Sequence, residues 1–210
     1  MEPEPMDGSP GLTAMTSIRR FARRRTAAER CEMCDAELAA NHSHLVEPAS
    51  RRLACTCEAC AILFSGRSDT KFRRVPRLVR FLADFRMTDQ AWDGLQLPIN
   101  LAFFLRSTPA GRVVALYPSP AGATESLVEP DSWRTLEDEN PILRSLEPDV
   151  EALLVNRVKE SRECYLVGID ECYKIAGLIR THWRGLSGGQ AAWDEIERFF
   201  ADLKGRQTHA

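Results

Sequence analysis

Five of the chain's seven cysteines and two of its four histidines fall between Cys31 and Cys60. The stretch reads "CEMC" (Cys31, Cys34), "NHSH" (His42, His44) and "CTCEAC" (Cys55, Cys57, Cys60). A Cys-x2-Cys pair can bite one tetrahedral ion, because a tight turn brings both sulfurs onto it at about 2.3 Å. Cys31 with Cys34 and Cys57 with Cys60 make two such pairs, with residues 35–56 between them. That separation is close to the spacing of four-thiolate zinc sites. Four thiolates close the shell and leave no position for water or substrate. The expected role of the ion is therefore structural, stapling a module too small to fold on its own core.

Cys55, His42 and His44 remain. In an extended chain Cys55 and Cys57 project to the same side, so Cys55 is an alternative ligand to Cys57 or a neighbour of the shell. His42 and His44 also share a face in a strand, and three roles stay open for them: completing a Cys/His shell, binding a second ion, or standing in solvent. Histidine with thiolate suits several iron sites as well. No iron–sulfur spacing is matched, so zinc is the expected cofactor and iron the minor alternative. The stretch is loosely similar to the His-Asn-His nucleases, but those need a metal-holding His or Asn at the helix end, and the chain after Cys60 reads "AILFSGR". Tyr117, Ser119, Glu125 and Ser126 cluster in sequence without a Ser-His-Asp order, and there is no Walker loop or dinucleotide fingerprint. The sequence assigns no catalytic residue and favours a non-enzymatic role.

Two further concentrations of charge stand out. In "LIRTHWRGLSGGQ", Arg180, His182 and Arg184 precede Ser187, Gly188 and Gly189. These residues suit an anion at a helix start, or simply a helix end, a turn, and a box in which Ser187 and Gln190 cap the last helix. In "SIRRFARRRTAAER" six arginines, among them Arg19, Arg20, Arg23, Arg24 and Arg25, face one glutamate. That arm suits a nucleic acid or an acidic protein face, or else it is a solvated leader.

The elements must place the cysteines. "HLVEPASRRLAC" reads as two strands around a Pro-Ala-Ser turn, and "CEACAILF" opens a helix whose first amides favour thiolate charge. The expected organisation is a disordered acidic tail and basic arm over 1–30, a zinc-ribbon or treble-clef-like module over 31–66, and a mixed α+β domain over 67–205. In that domain "VPRLVRFLADFRM" has helical period, with Leu78, Val79, Phe81, Leu82 and Phe85 on one side. Thr88 would cap a short helix ended by Gly94. "LAFFLR" and "RVVALY" read as a buried hairpin, residues 118–126 as a loop, and Asp131 and Asn140 as caps of two short helices. "EALLVNRV" and "ECYLVGI" are strand-like. Asp170 would cap the first of two closing helices, with Cys172, Ile175, Ala176 and Ile179 on its inner face. Trp193, Ile196, Phe199, Phe200 and Leu203 share a face of the second. The fold class is α+β, with about four strands, two C-terminal helices and the helices on one face of the sheet.

A net charge of -2 makes the whole molecule a poor magnet for nucleic acid. No apolar run is long enough to span a bilayer. The acidic, Pro-rich start excludes a signal-peptide beginning, and the twin arginines Arg19-Arg20 lack the apolar segment that an export signal needs. The expected home is the cytoplasm, with bunched reduced cysteines serving as ligands rather than as disulfides. The motifs "CEMC", "HSHLV", "CTCEACAILF", "GRVVALYPSPAGATES", "LEPDVEALLVNR" and "LIRTHWRGLSGG" together resemble an uncharacterised bacterial family found in gene clusters of high-affinity uptake nickel–iron hydrogenases. The resemblance covers roughly Cys31 to Phe200. It implies an accessory or maturation protein, or a partner of the electron-transfer machinery, with hydrogenase subunits or accessory proteins as partners.

Overall fold

A computed structural model describes residues 29–65, 70–185 and 188–207. The described chain is α+β, with two antiparallel sheets and five α-helices among the described residues. The first sheet is small. Strands β1 (Ser43–Glu47) and β2 (Arg52–Thr56) form a hairpin in which Ser43 faces Thr56 and His44 faces Cys55. The turn between them uses the left-handed conformation at Arg51, with φ 55. Helix α1 (Glu58–Ser65) follows at once. Strand β3 (Arg73–Arg74) then returns to pair with β1, so the small sheet has the order β2-β1-β3 and draws residues from beyond position 66.

The second sheet has six strands in the order β4-β9-β8-β5-β6-β7, two more than the sequence led us to expect. Its strands are β4 (Val79–Phe81), β5 (Leu101–Ser107), β6 (Arg112–Ser119), β7 (Gly122–Ser126), β8 (Glu151–Asn156) and β9 (Glu163–Gly168). Two readings fail here. The 75–87 segment is not a helix: Val79–Phe81 pairs with Tyr165–Val167 of β9, and pairing at the sheet edge overrides the helical period. The 118–126 segment is not a loop: Pro118 and Ser119 extend β6, and β7 adds an edge strand of five largely polar residues.

Helices cover both faces of this sheet, not one. Leu101, Phe103, Leu105, Leu154, Tyr165 and Val167 pack with helices α4 (Ile169–His182) and α5 (Gly189–Gly205). The intervening Ala102, Phe104, Leu153, Val155 and Leu166 pack with α2 (Asp89–Asp93), α3 (Pro130–Glu139) and a 3-10 turn, Pro141–Ser145. Strands buried on both sides need apolar residues at successive positions, which is why "LAFFL" and "ALLV" are continuous runs.

The caps agree in part with expectation. The Thr88 hydroxyl accepts a hydrogen bond from the amide of Ala91 at 3.0 Å, and Gly94 ends α2. Helix α3 instead starts with Glu129 at the cap and Pro130 in its first turn, so Asp131 is not the cap. Asn140 holds the expected cap position before the 3-10 turn, with Pro141 in that turn's first position, but makes no side-chain cap bond; its side chain bonds the backbone of Arg86 at both N–H and C=O. Gly168, not Asp170, caps α4. No helix among the described residues is long and apolar enough to cross a membrane.

Candidate metal centre

The first cysteine pair sits in a turn. The Cys31 carbonyl accepts from the Asp35 amide and the Cys31 amide donates to the Ala36 carbonyl, each at 2.8 Å, while Asp35 takes φ 61. Glu32, inside the pair, locks this turn to β2. Its amide donates to the Cys55 carbonyl at 2.9 Å, and its carboxylate accepts from the Cys55 amide at 2.8 Å. The second pair lies where β2 passes into α1. Cys57 precedes the helix, its carbonyl accepting from Ala61 at 2.9 Å, and Cys60 falls in the first turn.

This folding brings the sulfurs of Cys31, Cys34, Cys57 and Cys60 within 4.8 Å of one another. The Cys34 and Cys57 sulfurs are 3.7 Å apart. A tetrahedral ion with metal–sulfur bonds of about 2.3 Å requires sulfur–sulfur edges of about 3.8 Å, whereas a disulfide would need about 2.05 Å. All the cysteines are free thiols. The four residues therefore fit a metal ion in both donor type and spacing. Electrostatics point the same way. Burial opposes ionisation of Cys31, but the amides of Cys57, Met33 and Cys34 aim at its sulfur and bring its pKa down to about 6. Burial and the neighbouring sulfurs push Cys60 up to about 12. Four adjacent sulfurs can all become thiolates only around a cation, which deprotonates the thiols it binds.

Cys55 does not join this group. Strand β2 ends at Thr56, so the alternation that would align Cys55 with Cys57 stops one residue short. Cys55 instead gathers with His42 and His44, the three donor atoms lying within 4.8 Å of one another. The other concentration, around 180–189, is shared between two helices. Arg180 is exposed, the His182 Nδ1 contacts the Leu178 carbonyl at 3.0 Å, and the Arg184 guanidinium donates to the carbonyls of Thr181 and Trp183. Such donors complete the C-terminal end of a helix. Gly188 and Gly189 begin α5 with φ 86 and 72. Ser187 and the arm arginines Arg19, Arg20, Arg23, Arg24 and Arg25 lie outside the described residues.

Sequence reading missed Asp170 as a partner of this region. Its carboxylate lies 2.9 Å from the His44 Nδ1, across 126 positions of chain. No local signal announces such a contact. Glu32 was equally silent, although a carboxylate between two ligands can brace the turn that holds them.

A mixed α+β chain with four convergent sulfurs that could hold a metal ion is the class these features define. The chain belongs to the family of unknown function DUF5947, which matches residues 30–207 and so includes both cysteine pairs. No curated protein and no solved structure matches it.

Proposed function

We propose that the protein is a zinc-stapled accessory factor that docks on a protein partner, with zinc held by Cys31, Cys34, Cys57 and Cys60. The convergence of those four sulfurs carries the reading. A four-thiolate tetrahedral set favours zinc, and its closed shell gives the ion a folding role rather than a catalytic one. The order of turn, hairpin and helix is that of a treble clef, the second pair coming from the helix start. Seven free thiols suit the reducing cytosol.

Docking is supported by helix α1, where the adjacent Ile62 and Leu63 are 59% and 61% exposed. Neighbouring large apolar groups on a small stapled module suit burial against a protein. Among the described residues, basic side chains of the module pair with carboxylates: Arg52 with Glu32, Arg74 with Glu58, Lys71 with Glu47 and Arg51 with Glu125. Cations already neutralised by carboxylates are poor phosphate ligands, which favours a protein over a nucleic acid. The partner class in this proposal, a subunit or maturation factor of a nickel–iron hydrogenase, is the one that the resemblance of the sequence motifs implies.

Affinity capture from cells expressing such a hydrogenase tests this. The wild-type protein should retain a hydrogenase or accessory subunit, and the double variant Ile62→Asp, Leu63→Asp should lose it with zinc content unchanged. Capture of no such subunit, or capture indifferent to the two substitutions, contradicts the docking role. Salt-dependent RNA or DNA binding would point to the arginine arm instead.

A further inference from the structure

We propose that His42, His44 and Cys55 form a second metal site, distinct from the four-cysteine centre, which holds a borderline transition cation with one coordination position open to a cavity. The local geometry follows from hairpin pairing. His44 stands directly opposite Cys55 in the β1–β2 register, and opposed residues share a sheet face. His42, two residues before His44, falls on the same side. One nitrogen from each ring and the Cys55 sulfur accordingly lie within 4.8 Å of one another, and the two ring centroids are 4.7 Å apart. An ion bonded at about 2.0–2.3 Å places its donors about 3.3–3.8 Å apart, so small side-chain rotations close the three on one centre.

The orientation of each ring is the independent observation. The His42 Nδ1 sits 2.9 Å from the Ala39 carbonyl, which accepts its proton and leaves Nε2 with a lone pair. That Nε2 is buried with no hydrogen-bond partner, on a side chain only 8% exposed. A buried unpaired nitrogen is costly unless something satisfies it, and a cation would do so. The His44 Nδ1 is held in the same manner by the Asp170 carboxylate at 2.9 Å. A carboxylate or carbonyl behind the far nitrogen of a histidine is the usual support of a metal-bound imidazole. Both rings are thus set in the tautomer that offers Nε2.

The surroundings differ from those of the first centre. The three ligands line a cavity of about 690 Å³ between the hairpin, the 76–79 segment and helices α4 and α5. Three protein ligands with an open fourth position are the arrangement of zinc sites that bind water or substrate. Two imidazoles and a thiolate select zinc, copper, nickel or cobalt over magnesium or calcium.

Titration of the metal-free full-length protein with Co(II) in oxygen-free buffer tests the site, followed by thiolate-to-cobalt and d–d absorption. The wild type should take up two equivalents with two distinct spectra, one of a four-sulfur ion and one of a mixed nitrogen–sulfur ion. The double variant His42→Ala, His44→Ala should take up one, keeping the four-sulfur spectrum. Asp170→Asn, which leaves every ligand in place, should weaken the mixed-ligand phase about 10–100-fold and leave the other unchanged. Uptake in the wild type without a mixed nitrogen–sulfur spectrum, or a second equivalent indifferent to both variants, overturns the proposal. Cys34→Ser separates the two readings: it should abolish the four-sulfur spectrum and spare the mixed-ligand phase, so a failure of the four-cysteine centre shows as a missing four-sulfur spectrum and a failure of the second site as a missing mixed-ligand one.

Discussion

Single residues do most of the placing around the two clusters. Cys31 and Cys60 are buried and Cys34 is exposed, so the first cluster spans from the module's interior to its surface. The pairing of Cys31, Cys34, Cys57 and Cys60 was legible from spacing alone, because each Cys-x2-Cys is a local turn. The separation of Cys55 from them was not, since it depends on β2 ending at Thr56 rather than one residue later. The isolated cysteines are different. Burial pushes the Cys164 thiol up to about 12 and raises Cys172 well above its ordinary value, which suits inert core residues. Gly168 is a positioning residue of another kind. A Cβ there would sit 2.4 Å from the Pro76 carbonyl and 2.6 Å from the Asp170 carboxylate, although the backbone itself is unstrained with φ -60. Gly168→Ala should therefore lower stability by about 1–3 kcal/mol through overpacking. Denaturant unfolding checks this, and an unchanged or raised midpoint would show that the 76–79 segment yields freely.

At the scale of elements, the hairpins β5–β6 and β8–β9 were readable because buried strands leave continuous apolar runs. Burial on both faces was in principle readable too: alternate residues of "LAFFL" serve different helices. Edge strands hid better. Strand β7 is "GATES", whose polar composition says loop, and β4 is three residues inside a segment of helical period. Both are strands because a neighbour offers them hydrogen bonds, a fact located elsewhere in the chain. Asn140 shows how such pieces are tied. Its side chain accepts from the Arg86 amide at 2.7 Å and donates to the Arg86 carbonyl at 2.8 Å, joining the chain after β4 to the end of α3. Asn140→Ala should cost about 1–3 kcal/mol, because it orphans both backbone groups. Faster hydrogen exchange at the Arg86 amide would accompany the loss, and an unaltered exchange rate would contradict it.

Across the whole molecule, the cysteine module is fastened to the six-stranded domain by long-range contacts. His44 meets Asp170, Arg73 donates to the Pro148 carbonyl and Glu147, and Arg51 in the hairpin turn pairs with Glu125 of β7. Partial burial works against the Glu125 anion, but Arg51 and Arg112 outweigh it and hold its pKa below the ordinary 4.5. Folded protein thus binds fewer protons at this site than unfolded protein. Its contribution is present above pH 4.5 and fades as pH falls through the lowered folded value. Glu125→Gln should be less stable than wild type near neutrality, with the difference shrinking toward zero in acid. A constant difference across that range would mean that the pair's charge does not fasten the module. The central claim is the metal at the four cysteines, and elemental analysis of exhaustively dialysed protein tests it most directly. Zinc should persist in the wild type, fall sharply in Cys34→Ser and Cys60→Ser, and its removal by chelation should expose amides 31–60 to rapid exchange. A metal-free protein whose hairpin stays equally protected after chelation would contradict the account.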